Sequence, residues 1–258
     1  MQKLISIDLF ADFGMLKKPD TNEPVYLTFN MIHKPALLGI LGAIIGESGF
    51  KEKGVLPDYY TKLKDIKLGI EPLRHENGNF QKTIITYNNT TGMASKEEGG
   101  NLMITEQTLI APAYTCYFLL ETENETHQNI DDHLSHNIAE YLPYLGKNEF
   151  SVWWKNYRVY ENIESFYPAD NFRIQSVFIK SEPISPNKDV QPFVPFITES
   201  GNTFSYFERL PLKYTEIAEK QFQYEYRDFA FTDWMLQAKY KTGHEFIKFD
   251  TDEIIQVF

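Results

Sequence analysis

The chain has 258 residues, a net charge of −11 and an aromatic content of 15%. This length allows one large domain or a domain with a smaller partner, and the negative charge argues against a free-standing nucleic-acid binder, because such proteins usually have a basic surface. The single cysteine, Cys116, excludes an internal disulfide and a paired-cysteine zinc site. The longest apolar run, 36–45, is far shorter than the roughly 20 residues of a membrane span. Because the N-terminus has no signal-peptide pattern either, we expect a cytoplasmic protein without membrane contact.

The first part of the sequence alternates predicted strands with two predicted helices. Pro35 is expected to open the first helix, and Asn129 and Pro143 are expected to cap and end the second. Strands are predicted at 5–13, 25–29, 66–72, 80–87, 109–120 and 150–160, and helices at 35–46 and 129–143. The β-α-β-β-α-β order predicts a ferredoxin-like domain over 1–165, with the topology of the RNA-recognition motif.

The remaining sequence, 166–258, predicts a β-rich region without helices. Short extended segments are expected at 177–179, 204–207, 222–226 and 246–258, and four prolines between 183 and 195 indicate a connecting loop. The predicted class is therefore α+β: a ferredoxin-like N-terminal domain followed by a β-rich C-terminal region.

The start of the first helix is the first candidate site for an anion. A helix N-terminus has free N–H groups and a partial positive charge, so His33 and Lys34 are unfavourable there unless an anion such as a phosphate lies nearby. The alternative is that both side chains are simply solvated and screened.

The turn before the last predicted strand of the first domain is the second candidate. Gly146 permits a turn that brings backbone N–H groups towards a ligand, while Lys147 adds a cation and Asn148 adds a donor and an acceptor. We predict that this turn contacts RNA.

The strand that follows is predicted to present Trp153, Lys155 and Tyr157 on one face, because strand side chains alternate with a period of two. Aromatic rings interleaved with cations suit stacking on unpaired nucleotides. The alternative is that Trp153 is buried in the core.

The segment 88–101 is the third candidate. It is rich in Gly, Thr, Asn and Ser, and Lys82 and Lys96 lie at its base and within it. Loops of this length are usually functional or disordered, and we predict a hairpin arm spanning roughly 80–110 that contacts RNA.

Catalytic and metal-binding patterns are weaker. His127, His133 and His136 could imitate a metal cluster, but the same segment is typical of the solvent face of a helix. The six histidines are scattered and indicate no acid–base pair, and the sequence has no Gly-rich phosphate loop or nucleophile motif. We therefore predict no catalytic residue, no metal and no cofactor.

Four segments resemble the fifth CRISPR-associated (Cas) family, of the RAMP superfamily. They are LISIDLFADF (4–13), PALLGILGAIIG (35–46), EQTLIAPAY (106–114) and YLGKNEF (144–150), and they occur in the order in which that family has them. The resemblance covers residues 4–150, and the overall pattern of the sequence is most similar to the type I-B branch of the family.

This resemblance implies a subunit of a type I Cascade surveillance complex in antiviral defence. Such a subunit holds the 5′ handle of the CRISPR RNA, locks the first guide nucleotides with a hairpin thumb, here 88–101, and contacts the large subunit and the backbone subunits. It meets target DNA only indirectly. The handle would lie near His33, Lys34, Lys82 and Lys147.

Two alternatives remain open at this point. Type I-C relatives cut precursor RNA without a metal, and their Tyr, Lys and His grouping is not recognised in this sequence. The other alternative is a scaffold whose Trp153 face binds only protein.

Overall fold

The computed structural model describes residues 1–20, 24–89, 102–180, 196–197, 204–237, 245–250 and 252–258. Its first part contains strands and helices in the order β1 (Gln2–Ala11), β2 (Phe13–Gly14), α1 (Lys34–Ile44), α2 (Asp58–Leu63), β3 (Lys67–Leu73), β4 (Lys82–Asn89), β5 (Leu102–Ile110), β6 (Ala113–Glu121), α3 (Glu125–His136) and β7 (Val152–Tyr160). The described residues after Tyr160 contain the strands β8 (Glu164–Ser165), β9 (Phe178–Ile179), β10 (Phe196–Ile197), β11 (Ser205–Ala218), β12 (Gln221–Thr232), β13 (Met235–Leu236), β14 (Glu245–Phe249) and β15 (Glu253–Val257).

An antiparallel four-stranded sheet in the order β3-β6-β1-β7 organises the first part. Along β1, the alternate residues Ile5, Ile7 and Leu9 belong to the same buried cluster as the apolar side chains of α1 and α3. These two helices therefore cover one face of the sheet, and the indole N–H of Trp154 on β7 donates to the Leu134 carbonyl in α3 at 3.0 Å.

A hairpin of β4 and β5 is inserted between β3 and β6, with β2 paired to the outer side of β5. The single strand predicted over 109–120 is wrong, because Ala111 has a φ of +48° and Pro112 follows it. The chain turns there, so β5 and β6 are separate strands in different sheets. The strand predicted at 25–29 is also wrong: that segment makes only isolated bridges, at Tyr26 and Thr28.

The helix predicted at 129–143 corresponds to α3, which begins and ends earlier than the sequence predicts, and Asn129, the expected cap, lies inside it. It is capped by Asn124 and ends at Asn137, whose left-handed backbone, with a φ of +55°, stops the helix. The predicted end at Pro143 is therefore wrong. The N–H groups of Glu140 and Tyr141 instead donate to carbonyls in the last turn of α1, where they satisfy acceptors that an α-helix leaves unpaired.

The C-terminal region is strand-rich, and the whole chain is a mixed fold with several antiparallel sheets. Its largest element is the hairpin of β11 and β12, which the sequence indicated only as two short segments. The two regions share one buried cluster that contains Ile5, Phe231 and Phe258. Phe258 also exchanges two backbone hydrogen bonds with Leu68 at the edge of β3.

The carboxylate of Glu208 on β11 fixes the segment that enters α1. It accepts the backbone N–H groups of Asn30 and Met31 at 3.0 Å and the hydroxyl of Tyr206 at 2.9 Å, and it pairs with the Lys18 ammonium at 3.4 Å. Hydrogen bonds to a charged acceptor are stronger than neutral ones. The C-terminal hairpin therefore positions the N-terminus of α1.

None of the helices in the described ranges combines the length and the apolar character that crossing a membrane requires.

Replacing Glu208 by Ala should lower the free energy of unfolding by about 3 kcal/mol, because two buried N–H groups and the Lys18 ammonium lose their acceptor. Urea unfolding of the purified chain measures this change. Glu219, which is exposed near the tip of the same hairpin, provides the control: Glu219→Ala should change the free energy by less than about 0.5 kcal/mol. Equal effects of the two substitutions would contradict this role for Glu208.

Candidate functional site

A groove of about 460 Å³ lies where α1, the base of the β4–β5 hairpin, the turn at 144–147 and the β11–β12 hairpin meet. Five tyrosines line it, and we call it the tyrosine groove: Tyr26, Tyr59, Tyr87, Tyr214 and Tyr224. Three residues predicted from the sequence as RNA contacts, His33, Gly146 and Lys147, also line the groove, although more than a hundred residues separate the first from the other two.

His33 is the N-cap of α1 and is buried. Its Nδ1 accepts the backbone N–H of Ala36 at 3.3 Å, and its ring meets the rings of Phe29 and Tyr224 edge-on. Burial lowers the pKa of His33 to about 3, so the imidazole is neutral at physiological pH. The expectation that His33 supplies a positive charge at the helix start is therefore wrong; a neutral aromatic ring forms that wall.

Lys34 does not line the groove. Its ammonium donates to the Phe258 carbonyl at 2.9 Å, and the side chain is buried between α1 and the C-terminal strands. Burial lowers its pKa to about 8. Lys34 therefore connects the two regions, and the alternative that its side chain is simply solvated is wrong.

Gly146 has a φ of +86°, a conformation that side-chain-bearing residues rarely adopt, and the backbone carbonyl of Met15 lies where its Cβ would be. The neighbouring Leu145 carbonyl accepts the Met15 N–H at 3.1 Å. The glycine therefore allows two backbones to touch, which brings the turn at 144–147 against the segment after β2. Asn148 follows this turn and is exposed.

Lys147 is the most heavily paired cation of the groove. Its ammonium lies 2.7 Å from the Glu106 carboxylate, 2.9 Å from Glu149 and 3.2 Å from the Tyr87 hydroxyl. Burial alone would lower the pKa of Lys147, but these hydrogen bonds outweigh burial and raise it. The two carboxylates neutralise the lysine, so its main effect is to tie the turn to the base of the hairpin.

Lys17 is a groove cation that the sequence did not single out. It is exposed, and its ammonium lies 3.8 Å from the centre of the Tyr26 ring. Among the described residues no carboxylate pairs with it. An ammonium over a tyrosine face, open to solvent, is available to a phosphate whose base stacks nearby.

The C-terminal hairpin supplies stacked rings to the opposite wall. Tyr214 and Tyr224 are stacked with centroids 4.8 Å apart, and their hydroxyls are 3.2 Å apart. Burial raises the pKa of Tyr59 to about 12, and burial followed by the nearby Tyr224 raises that of Tyr214. These hydroxyls therefore stay protonated and can act as hydrogen-bond donors.

The groove continues along α1 into a neighbouring depression of about 480 Å³ that shares Ala36, Tyr59 and Gly146 with it. Gly39 and Ala43 of α1 line this extension, together with exposed side chains of the segment that replaces the predicted helix end: Tyr141, Leu142 and Tyr144. The combined channel is lined by aromatic and small residues and carries few charges.

Lys82 lies outside the groove. Its ammonium donates to the side-chain carbonyl of Asn30 at 2.7 Å, and burial lowers its pKa. Lys96 and residues 90–101 of the predicted arm lie outside the described residues, so the structure describes only the strands that lead into them, β4 and β5.

Trp153 and Lys155 are on the face of the sheet that α1 and α3 leave uncovered. Trp153 stacks on Phe10, and it is 39% exposed. Tyr157 does not share this face, because a bulge at Asn156, which has a φ of +54°, reverses the alternation of β7. Its hydroxyl donates to Asp131 in α3 at 2.5 Å, so the prediction of one face for all three side chains is wrong.

Metal ligands do not assemble in the described ranges: nowhere there do three His, Cys, Asp or Glu side chains form a group that could hold an ion. His127 accepts the Glu121 N–H at 2.8 Å, and His133 and His136 contact backbone carbonyls of their own helix.

The sequence did not indicate the tyrosines of the groove or Lys17, because contacts between residues far apart in the chain bring them together. Tyr214 and Tyr224 occupy a strand pair whose groove-side face is set by its pairing, and Tyr26 lies in a loop without regular structure. The high tyrosine content was the one feature of the sequence that indicated an aromatic site.

Comparison with protein-family models finds no match, and comparison with curated protein sequences finds none either. Solved structures do match. A chain titled as part of a CRISPR RNA-guided surveillance complex is 13% identical with a TM-score of 0.49, and the alignment covers 92% of this chain and 91% of that one.

A CRISPR protein from Archaeoglobus fulgidus is 10% identical with a TM-score of 0.49, over 100% of this chain and 98% of that one. A structure described as a Cas protein is 10% identical with a TM-score of 0.44, over 93% and 98%. The similar solved structures thus include CRISPR proteins, but TM-scores below 0.5 at these identities do not transfer a function.

The pH dependence of stability should report the buried, neutral His33. Its pKa of about 3 in the folded chain lies below its ordinary value of 6.5, so the unfolded chain binds one more proton between these pH values. The contribution is complete above pH 6.5 and falls by about 1.4 kcal/mol per pH unit below it. His33→Asn keeps a good N-cap and removes this titration.

Urea unfolding at pH 7 and pH 5 should therefore show that the wild type loses about 2 kcal/mol more stability on acidification than His33→Asn does. The exposed His136 provides the matched control, and His136→Asn should retain the wild-type pH dependence. A loss in His33→Asn as large as that of the wild type would contradict a neutral buried imidazole.

Proposed function

We propose that this chain is a non-catalytic RNA-binding subunit of a type I CRISPR surveillance complex and that it holds the 5′ handle of the CRISPR RNA in the tyrosine groove. One observation carries the proposal. Three of the four segments that resemble the fifth Cas family, 35–46, 106–114 and 144–150, contribute residues to this single groove. Segments far apart in sequence that line one cavity support a common ligand.

The topology supports the finer parts of the proposal. The sheet order β3-β6-β1-β7, with α1 after β1 and α3 after β6, fits a ferredoxin-like domain of the RAMP type over 1–165. The inserted β4–β5 hairpin suits the base of a thumb. The type I-B-like assignment, and contacts with the large and backbone subunits, follow from the sequence resemblance.

The chemistry of the groove favours unpaired nucleotides. Stacking on an aromatic ring contributes about 1–3 kcal/mol per base and tolerates any sequence, and neutral tyrosine hydroxyls can donate to phosphates and base edges. Lys17 has no carboxylate partner among the described residues, whereas the charge of Lys147 is already balanced by Glu106 and Glu149. An acidic chain can hold RNA in this way with few phosphate contacts, and with a correspondingly small dependence on salt.

Lys17→Met should weaken retention of the RNA and lower the slope of log K against log salt by about one unit, because one phosphate contact is lost. The measurement is salt elution of the CRISPR RNA from the co-expressed complex, with the 5′ end of the eluted RNA sequenced. Lys64→Met changes the net charge equally at an exposed site outside the groove and should behave as the wild type.

Complexes that keep their RNA equally well with Lys17→Met and Lys64→Met would oppose the groove as the RNA site. RNA without a uniform repeat-derived 5′ end would oppose the assignment to a handle-binding subunit.

We also propose that the chain does not cleave precursor RNA. Metal-independent cleavage needs a general base with a pKa near the working pH. In the groove, His33 is buried with its Nδ1 occupied, the pKa values of Tyr59 and Tyr214 are raised, and Lys147 is held protonated by its partners.

Incubation of the purified chain with a repeat RNA hairpin in EDTA should therefore yield no discrete product. A single defined cut that disappears in His33→Asn or Lys147→Met would establish the alternative, a processing endoribonuclease.

A further inference from the structure

On the sheet face opposite α1 and α3, β14 and β15 cover the end around Leu4 and Tyr117. We propose that the other end of this face, which they leave open, carries a second contact for single-stranded RNA, formed by Phe10 and Trp153 and flanked by Arg74 and Lys155. We call it the Phe10–Trp153 platform. It rests on the proposed RNA-binding function, but it is a separate site, since α1 and the tyrosine groove are not on this face.

The strand register builds the platform. Phe10 on β1 is directly opposite Trp153 on β7, and on its other side it is opposite Ala113 on β6. The two rings are stacked, with centroids 6.2 Å apart and an angle of 21° between their planes. Because Ala113 is small, Arg74 at the end of β3 reaches across it, and its guanidinium lies 5.1 Å from the Phe10 centroid.

The row Arg74, Phe10, Trp153 thus runs across the sheet as a continuous series of flat groups. Trp153 is 39% exposed and Arg74 is exposed, so the outer surface of the row meets solvent. Lys155 lies two residues beyond Trp153, on the same face and also exposed, because the bulge in β7 begins only after it.

The charges of the platform are available to a ligand. Neither Arg74 nor Lys155 forms an ion pair with any residue that the structure describes, whereas Arg158, further along β7, is paired with the buried Asp8 at 3.1 Å. In a chain with a net charge of −11, two unpaired cations on either side of an exposed aromatic stack mark a surface complementary to a polyanion with flat groups.

Single-stranded RNA fits this chemistry. An unpaired base can stack on Trp153 and continue the aromatic row, while the phosphates on either side of it approach Arg74 and Lys155. An acidic protein segment would satisfy the cations but would not use the exposed ring faces, so a protein-only partner is the alternative that the test must exclude.

Trp153 is its own reporter, because a stacked base quenches indole fluorescence. Of the other two tryptophans, Trp154 is buried and Trp234 is partly buried, so the quenching expected on titration of the purified chain with oligouridine should arise from Trp153. It should disappear in Trp153→Ser. The affinity, measured by anisotropy of the labelled oligonucleotide, should fall about 5- to 150-fold in that variant.

The double variant Arg74→Gln/Lys155→Gln should keep the fold, because both side chains are exposed, and should lower the salt slope by about two units. Lys53→Gln/Lys64→Gln removes the same charge from exposed positions outside both sites and should bind as the wild type. Wild-type fluorescence that RNA leaves unchanged, or a platform variant that binds as tightly as the control, would overturn the platform.

The two proposals fail in different ways. If Lys17→Met weakens binding while the platform variants do not, the groove stands and the platform is wrong. If the platform variants weaken binding while Lys17→Met does not, the platform stands and the groove is wrong. Quenching by an acidic peptide in place of RNA, with no RNA cross-link to Trp153, would assign the face to a protein partner and overturn the inference.

Discussion

One buried carboxylate links the C-terminal hairpin to the entry of the first helix. Glu208, on the C-terminal hairpin, accepts the N–H groups of Asn30 and Met31 just before α1 begins. Asn30 in turn accepts from Lys82 and Phe80 and donates to Gly78, at the start of the inserted hairpin. The entry to α1, the base of the β4–β5 hairpin and β11 are therefore held by one network, and the tyrosine groove lies between these same three elements. The shape of the groove therefore depends on a carboxylate that does not line it.

Under the proposed function, the groove would give an acidic protein a way to bind RNA with few charges. Lys147, which pairs with the Glu106 carboxylate, holds the turn at 144–147 against the β4–β5 hairpin. His33 lines the groove with a neutral ring. What remains for a ligand is mainly aromatic surface and neutral hydroxyls. Binding through such groups lacks electrostatic attraction at long range, and in the proposed complex that loss would be small because partner subunits would keep the RNA close.

The sequence predicted those parts of the fold that depend on local pattern. Period-two alternation located β1 and β7, and Pro35 marked the start of α1 to within one residue. It failed where one residue changes the backbone: Ala111 separates two strands, Asn137 ends a helix and Asn156 reverses a strand. Asn and Ala also occur inside many regular strands and helices, so residue type alone does not predict these breaks. The contacts that surround each residue in the fold determine its backbone conformation. Site residues with a local signal, such as Gly146, were found, whereas Tyr214 and Tyr224 depend on strand pairing across the chain.

The pairing of Phe258 with Leu68 has a consequence for assembly of the native state. Residues separated by about three quarters of the chain complete the outer edge of the first sheet, and Lys34 donates to the carbonyl of the same Phe258. Contacts of such long sequence separation form slowly. During synthesis the β3 edge would stay open until residues 253–258 had emerged from the ribosome, and open edges invite aggregation. A chaperone that covered the β3 edge would therefore protect the nascent chain.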